Sequence, residues 1–98
     1  MWIRTCDGSV INSSCIMQLD AEKVVSGYVV VARLGSNFVA VSLRNRPLEK
    51  AIAMEFINRL LSAHIDSERV GGCKIFDCNM TLDRMMNNVK EQVNVHPQ

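Results

Sequence analysis

Residues 24–43 read VVSGYVVVARLGSNFVAVSL, and this stretch decides the fold. Valine and aromatic residues are so dense over 24–34 that we expect a central strand covered on both faces. The turn residues 34–37 separate it from a second apolar run at 38–43. Two such runs joined by a short polar turn predict an antiparallel hairpin, which we place at the centre of a sheet.

Shorter strands are predicted before this hairpin. Residues 2–6 are rich in β-forming side chains, and Asp7-Gly8 after them is a typical hairpin turn. Residues 15–20 alternate well enough to form a further strand. We therefore predict an antiparallel sheet of four to five strands within residues 2–43.

A helical pattern replaces the strand pattern after residue 46. Pro47 suits a first helical turn, because its missing N–H costs no hydrogen bond there. Apolar side chains then recur at helical spacing up to His64, which predicts a long helix over 47–64. Its apolar arc covers roughly 200°, about twice what packing on one sheet requires. We therefore expect this helix to bury two sides.

The end of the chain is predicted to add two short elements. Residues 73–78 favour a short strand, and Thr81 is placed to cap a second helix over 81–93. The tail 94–98 has no apolar period, so we expect it to be frayed. The predicted fold class is α+β: a single domain over 1–98, with one long helix packed on a face of the sheet and a shorter C-terminal helix.

Composition limits the classes of partner. The chain has 98 residues, with 11 basic and 10 acidic side chains and a net charge of +1. Nucleic acid is therefore not favoured as a partner, although a basic patch formed by folding stays open. No apolar run reaches the roughly 18 residues of a membrane span, and no signal-peptide pattern opens the sequence. We expect a cytoplasmic protein without a membrane partner.

The four cysteines give no clear metal motif. Cys6 and Cys15 are too far apart for a zinc pair, and only Cys73 and Cys78 have suitable spacing. We predict reduced thiols, with no metal and no cofactor. A zinc- or thiol-dependent protein remains an alternative, and disulfides would require an exported protein.

Catalytic residues are not predicted. His64 pairs in principle with a cysteine and Asp66, but no local motif supports such a site. A histidine that closes a helix is the simpler interpretation. The glycine-rich and metal-binding motifs of common enzymes are missing from the sequence. We therefore predict that the protein is not an enzyme.

Binding is the favoured activity. Because methionine suits adaptable contact surfaces and the long helix is apolar over an unusually broad arc, we predict a homodimer. Its predicted interface consists of Met54, Ile57, Leu61, Met85 and Met86. The leading interpretation is a non-catalytic protein-interaction module.

An anion site is the second binding hypothesis. Three arginines cluster in the sequence near the end of the hairpin, where the helix N-terminus adds partial positive charge: Arg33, Arg44 and Arg46. They support the alternative of a small-ligand binding protein for a nucleotide-type ligand, with a pocket at a subunit interface. Trp2, the single tryptophan, is expected to be buried in the first strand.

Two segments also carry a resemblance. The opening MWIRT at 1–5, and PLEKA at 47–51 leading into one amphipathic helix, resemble small uncharacterised proteins of Gram-positive bacteria and their phages. The likeness covers about residues 1–62. It implies an accessory protein of a phage or mobile element that binds a host macromolecule or a signalling molecule, for example an inhibitor of host defence. It transfers no functional residue.

Overall fold

The computed structural model describes residues 1–71 and 74–94, including the side chains up to residue 87. The described residues form six strands, two α-helices and one 3₁₀ turn at Ser13–Cys15. In chain order the main elements are β1 (Trp2–Arg4), β2 (Val10–Asn12), β3 (Gln18–Val24), β4 (Gly27–Leu34), β5 (Asn37–Ala40), α1 (Lys50–Val70), β6 (Ile75–Asp77) and α2 (Cys78–Asn94).

The α+β class is confirmed, whereas the predicted single sheet of four to five strands is not. The strands form two sheets of three. In the hairpin sheet the order is β3-β4-β5, and all neighbours are antiparallel. In the terminal sheet the order is β2-β1-β6, where β1 is antiparallel to β2 and parallel to β6. The difference arises because β1 pairs with a strand from the other end of the chain.

The hairpin sheet is anchored through its central strand. Val30 is fully buried; its N–H donates to the Ser42 Oγ at 2.7 Å, and its carbonyl accepts from the Val41 N–H at 2.9 Å. Tyr28 and Leu48 exchange two backbone hydrogen bonds of 2.8 Å each. These bonds hold the segment between β5 and α1 against β4, so the start of α1 has a fixed position.

Helix α1 was predicted over 47–64 and is observed at Lys50–Val70. It begins later because Leu48 pairs with β4 instead of entering the first turn. It ends later because Gly71, at φ 67°, closes it with its N–H on the Ser67 carbonyl at 3.0 Å. Glycine adopts this left-handed conformation at little cost, which makes it a common helix terminator.

The second helix also begins elsewhere than predicted. Its range is Cys78–Asn94, against the predicted 81–93, because the cap is Asp77 and not Thr81. The Asp77 carboxylate accepts the Met80 N–H at 3.0 Å, and its carbonyl accepts from the Thr81 hydroxyl at 2.9 Å.

Two further predictions concern the ends of this region. The strand predicted over 73–78 is observed only at Ile75–Asp77, and Cys73 lies outside the described residues. Asn94, placed in the predicted tail, is the last residue of α2, whereas 95–98 lie outside the described residues.

One hydrophobic core joins both sheets and both helices. Ile3 of the terminal sheet, Val30 of the hairpin sheet, Phe56 of α1 and Leu82 of α2 all belong to it, and each is fully buried. The Phe56 ring also lies 5.9 Å from the Phe76 ring of β6, at an interplanar angle of 59°. Within the described residues, neither helix combines the length and apolar composition that crossing a membrane requires.

Candidate functional site

A cleft of about 710 Å³ lies where the two sheets and α2 approach one another. Its lining comes from three separate segments. We call it the arginine cleft, and its lining residues are Cys6, Leu43, Arg44, Asn45, Arg46, Asn79 and Met86.

The terminal sheet forms one wall of this cleft. Because β1 pairs in parallel with β6, the residues that follow both strands meet at the same edge. Cys6 follows β1 and Asn79 lies in the first turn of α2. The Asn79 Nδ2 donates to the Cys6 carbonyl at 3.2 Å, which fixes this wall.

The segment after β5 forms the opposite wall. Its base is held by the hydrogen bonds of Val41 and Ser42 to β4 described above, and Val41 also accepts the Cys6 N–H at 3.0 Å. Arg44 then reaches α2, where its Nη2 lies 2.6 Å from the Asp83 Oδ1. The loop that carries both cleft arginines is therefore attached to both sheets and to α2.

The Arg44 guanidinium is only partly satisfied. Its Nη2 has the Asp83 carboxylate, but its Nη1 is buried and has no hydrogen-bond partner among the described side chains and backbone. A buried donor without an acceptor costs about 1–3 kcal/mol, and more when it is charged. Arg46 adds a second positive charge to the same cleft. An anion with several oxygen acceptors would match both groups.

Its position in the cleft wall favours the protonated form of the Cys6 thiol. Burial is the main cause that raises its pKa from 9.0 to about 11; Arg44 acts in the opposite direction, and Asp77, Asp7 and Asp83 contribute to the rise. Burial also raises the pKa of the Cys78 thiol. Because the thiolate is the reactive form, a protonated Cys6 offers the cleft a weakly polar surface.

The alternative of a zinc- or thiol-dependent protein has no supporting site in the described residues. Cys15 is exposed in the 3₁₀ turn, and Cys6, Cys15 and Cys78 are free thiols. Among the side chains that the structure describes, those of residues 1–71 and 74–87, no group of three or more His, Cys, Asp or Glu could hold a metal ion.

His64 contacts a serine, and no pattern in the sequence predicts this pairing. The Ser13 Oγ lies 2.7 Å from the His64 Nδ1, and the His64 Nε2 lies 3.3 Å from the Glu68 Oε1. These distances resemble a Ser-His-carboxylate triad, but Ser13 is only 5% exposed and does not line the cleft. Nearby N–H groups that would stabilise an oxyanion are in use: the Ser13 N–H donates to Met1 and the Ser14 N–H to Asn12. The network therefore fastens the 3₁₀ turn to α1.

The predicted arginine cluster is divided by the structure. Arg44 and Arg46 line the cleft together, whereas Arg33 does not. The Arg33 guanidinium lies 5.9 Å from the centre of the Phe38 ring, and its Nε donates to the Gly35 carbonyl at 3.1 Å. Arg33 is near the other two in sequence, but its place on β4 directs it to the β4–β5 turn.

The predicted interface set is divided as well. Ile57 and Met85 are buried in the core of the monomer, so a second copy cannot reach them. Met86 is half-buried and lines the arginine cleft. Met54 and Leu61 remain exposed on α1. Trp2, expected to be buried, is 46% exposed because its side chain lies on the outer face of the terminal sheet.

Comparisons with protein families, with curated proteins and with solved structures found no match. The resemblance to small phage proteins therefore stays a prediction.

Proposed function

We propose that this protein is a non-catalytic binding module whose arginine cleft takes a small phosphate-bearing ligand of the nucleotide class. The observation that carries the proposal is the pair of arginines in the cleft. Arg44, whose side chain is 28% exposed, lines the cleft next to Arg46. Phosphate oxygens accept strong, often bidentate hydrogen bonds from guanidinium groups.

The size and lining of the cleft support a ligand larger than a single anion. About 710 Å³ lies within the range of roughly 300–1,000 Å³ that is usual for small-molecule sites. Two arginines and two asparagines provide polar groups, and Leu43 and Met86 provide apolar surface. This combination fits a phosphate attached to a flat, weakly polar ring, because the methionine and leucine side chains can pack against the ring.

The pocket belongs to one chain in this proposal. The sequence favoured a ligand pocket at a subunit interface, whereas here the proposed contacts to the ligand come from residues of one chain, chiefly Arg44 and Arg46. Binding without chemistry is favoured because the Cys6 thiol is protonated at neutral pH and Ser13 lies outside the cleft.

Isothermal titration calorimetry with adenosine monophosphate and with inorganic pyrophosphate tests the proposal. We expect Arg44→Gln to weaken binding of the better probe about tenfold or more, since a charged hydrogen bond contributes about 1.5–3 kcal/mol. Arg46→Gln should weaken it less. Arg33→Gln removes one arginine outside the cleft and should leave the affinity within about twofold.

Asp83→Asn separates a binding role of Arg44 from a structural one. This variant removes the same ion pair as Arg44→Gln but keeps the guanidinium. If Arg44 binds the ligand, freeing it from Asp83 should leave the affinity unchanged or raise it. The proposal fails if neither probe binds at about 1 mM, or if Asp83→Asn weakens binding as much as Arg44→Gln does.

A second candidate function is protein–protein interaction, with a second copy of the chain as the partner. The observation that favours it is the row of exposed apolar side chains on α1: Met54, Leu61 and Ile65. Neighbouring exposed apolar side chains of this kind can mark a surface that binds another protein. The role of a phage-type modulator or inhibitor of host defence, implied by the resemblance, stays a prediction that names no residue.

A further inference from the structure

Strand β3 forms an outer edge of the hairpin sheet, which we call the β3 edge. It pairs with β4 on one side along its whole length of seven residues. No second strand pairs with it in the part of the chain that the structure describes. The other outer strands of the two sheets have only three or four residues each. Among the described strands, β3 therefore offers the longest edge that a further strand could join.

The hydrogen bonds of β4 show which backbone groups of β3 point outward. Tyr28 and Val30 of β4 use their backbone groups for bonds on the side away from β3. Their partners across the ladder are Lys23 and Ala21. Because antiparallel pairs alternate between bonded and non-bonded, the backbone groups of Lys23, Ala21 and Leu19 point away from β4. No hydrogen bond to these groups is present among the described residues, so the β3 edge is open.

Two exposed carboxylates lie along this edge. Asp20 and Glu22 are two residues apart in the strand, so they project from the same face of the sheet. Their partners on β4 are Val31 and Val29, which place no positive charge opposite them. None of the ion pairs between described side chains involves either carboxylate, and Asp20 accepts a neutral hydrogen bond from Gln18 at 2.6 Å. The β3 edge thus presents two negative charges to a further strand.

These charges distinguish between possible occupants of the edge. A second copy could pair with β3 in a twofold, antiparallel way, and the registers with the greatest overlap are centred on residues 20–22. Centring on Ala21 puts Asp20 opposite Glu22 twice, and centring on either carboxylate puts it opposite itself. Like charges directly opposite destabilise a sheet, whereas opposite charges stabilise it. The edge therefore disfavours its own copy and favours a strand with positive side chains.

We propose that the β3 edge docks an extended, basic segment of another protein, in which Lys or Arg alternates with apolar residues. The backbone of that segment bonds to the outward groups of β3, and its basic side chains lie beside Asp20 and Glu22. Its apolar side chains fall on the other face, beside the half-buried Leu19 and Ala21. No residue of β3 lines the arginine cleft, so this surface is a further site that does not depend on ligand binding there.

Amide hydrogen exchange in dilute protein tests whether the edge is open. The outward amides are those of Leu19, Ala21 and Lys23. They should exchange at least about tenfold faster than the amides of Asp20 and Glu22, which point toward β4.

A synthetic peptide with blocked ends and the sequence Thr-Lys-Val-Lys-Val-Lys-Thr, the lysine peptide, tests docking at low salt. We expect a dissociation constant on the order of 0.5 mM, because an extended peptide loses much conformational freedom when it binds. At about 3 mM the lysine peptide should slow exchange of the outward amides about fivefold and leave Asp20 and Glu22 unchanged. The glutamate peptide, with Glu in place of each Lys, should have no effect.

Charge variants test the choice of partner. Glu22→Lys should weaken binding of the lysine peptide about three- to tenfold, because one attractive cross-strand pair becomes repulsive. Glu55→Lys makes the same charge change at an exposed position of α1 and should leave the affinity within about twofold. Asp20→Lys combined with Glu22→Lys should reverse the preference, so that the glutamate peptide binds and the lysine peptide does not.

Each contrary result overturns a stated part of the proposal. Outward amides that are as protected as those of Asp20 and Glu22 in dilute protein would show that the edge is closed. Protection that grows with protein concentration without peptide would assign the edge to a second copy. Equal binding of the two peptides, or no binding of the lysine peptide at about 10 mM, would exclude a basic strand as the occupant. None of these results changes the expectation for the arginine cleft.

Discussion

The two sheets of this protein are built in different ways. In the hairpin sheet each strand pairs with its neighbour in the chain, and β3 and β4 form a ladder from Gln18↔Arg33 to Val24↔Gly27. In the terminal sheet the strands have three residues each, and β1 pairs with β6 from the opposite end of the chain. Because its strands pair with their neighbours in the chain, the hairpin sheet can form largely without the terminal sheet. The terminal sheet forms only when both ends of the chain have come together.

This difference matters because the arginine cleft requires both sheets. Arg44 and Arg46 follow the hairpin sheet, while Cys6 and Asn79 are held by the terminal sheet. A change that opens the terminal sheet should therefore destroy the cleft and leave the hairpin ladder in place. A change within the hairpin sheet should alter the cleft only by moving the segment that follows β5.

Phe56→Ala is expected to have the largest effect, because Phe56 packs where α1 meets the terminal sheet. Its side chain is fully buried and contacts the Phe76 ring. Removing it leaves a large cavity, so we expect the free energy of unfolding to fall by about 3–5 kcal/mol. Urea denaturation followed by Trp2 fluorescence, which reports on the terminal sheet, and by circular dichroism measures it, and the Trp2 transition should shift at least as far as the circular dichroism transition.

Phe38→Ala is the matched control for that experiment. It removes the same ring from β5, where the side chain is 64% exposed, so the expected loss is within about 0.5 kcal/mol. A loss below about 1 kcal/mol for Phe56→Ala would mean that the shared core does not join the two sheets as described.

Gly27→Ala should have an intermediate effect and should act on the hairpin sheet. A Cβ at this position would lie 2.7 Å from the Leu48 carbonyl oxygen and 2.8 Å from the Pro47 Cβ. The backbone must shift to relieve this contact, which we expect to cost about 1–3 kcal/mol. Hydrogen exchange should show weaker protection at Tyr28 and Leu48, with the Ile3 amide less affected.

Ser26→Ala, in the exposed turn immediately before Gly27, is the control and should change the free energy of unfolding by less than about 0.5 kcal/mol. If Gly27→Ala weakens protection from hydrogen exchange in the terminal sheet as strongly as in the hairpin sheet, the two sheets do not open separately. The contrast between them is then wrong.

The local half of the molecule could be predicted from the sequence. The hairpin of β4 and β5 lies within the predicted runs 24–34 and 38–43 to within a few residues, and α1 was predicted, though with shifted ends. Gly71 was available as a signal for the later end, because a glycine after a helical pattern often closes a helix. Asp77 was likewise available as the cap of α2.

The candidate site could be predicted only in part. Arg44 and Arg46 are close in the chain, and the sequence pattern placed them, together with Arg33, in a candidate anion site; the structure brings only the first two to the cleft. The pairing of β1 with β6 is not encoded in any local pattern, so the positions of Cys6 and Asn79 beside these arginines could not be found. The same long-range packing buries Ile57 and Met85, two members of the predicted interface set.

The smallest expected effect concerns the Cys6 thiol in the wall between the two sheets. Because folding raises the pKa of Cys6 from 9.0 to about 11, the folded state favours the protonated thiol. Its contribution to stability is complete below about pH 9 and is lost as the pH rises toward about 11. Urea denaturation of the unmodified chain and of Cys6→Ala, from pH 8 to pH 11, should show a smaller alkaline loss in the variant.

Cys15→Ala is the control for this pH series, because Cys15 is exposed in the 3₁₀ turn. Its stability profile should parallel that of the unmodified chain. If the free energy of unfolding falls equally at alkaline pH in the unmodified chain and in Cys6→Ala, burial at the junction of the two sheets does not raise the pKa of Cys6.

The most direct test of the central claim is a nuclear magnetic resonance titration that observes the arginine Nε–H groups while inorganic pyrophosphate is added. We predict that the Arg44 and Arg46 signals shift together and saturably, along with the backbone amides of Cys6 and Asn79 from the opposite wall. The Arg33 signal, which belongs to the β4–β5 turn, should remain in place. Shifts of equal size at Arg33, Arg44 and Arg46, or no saturable shift at about 10 mM pyrophosphate, would contradict a specific anion site between the two sheets.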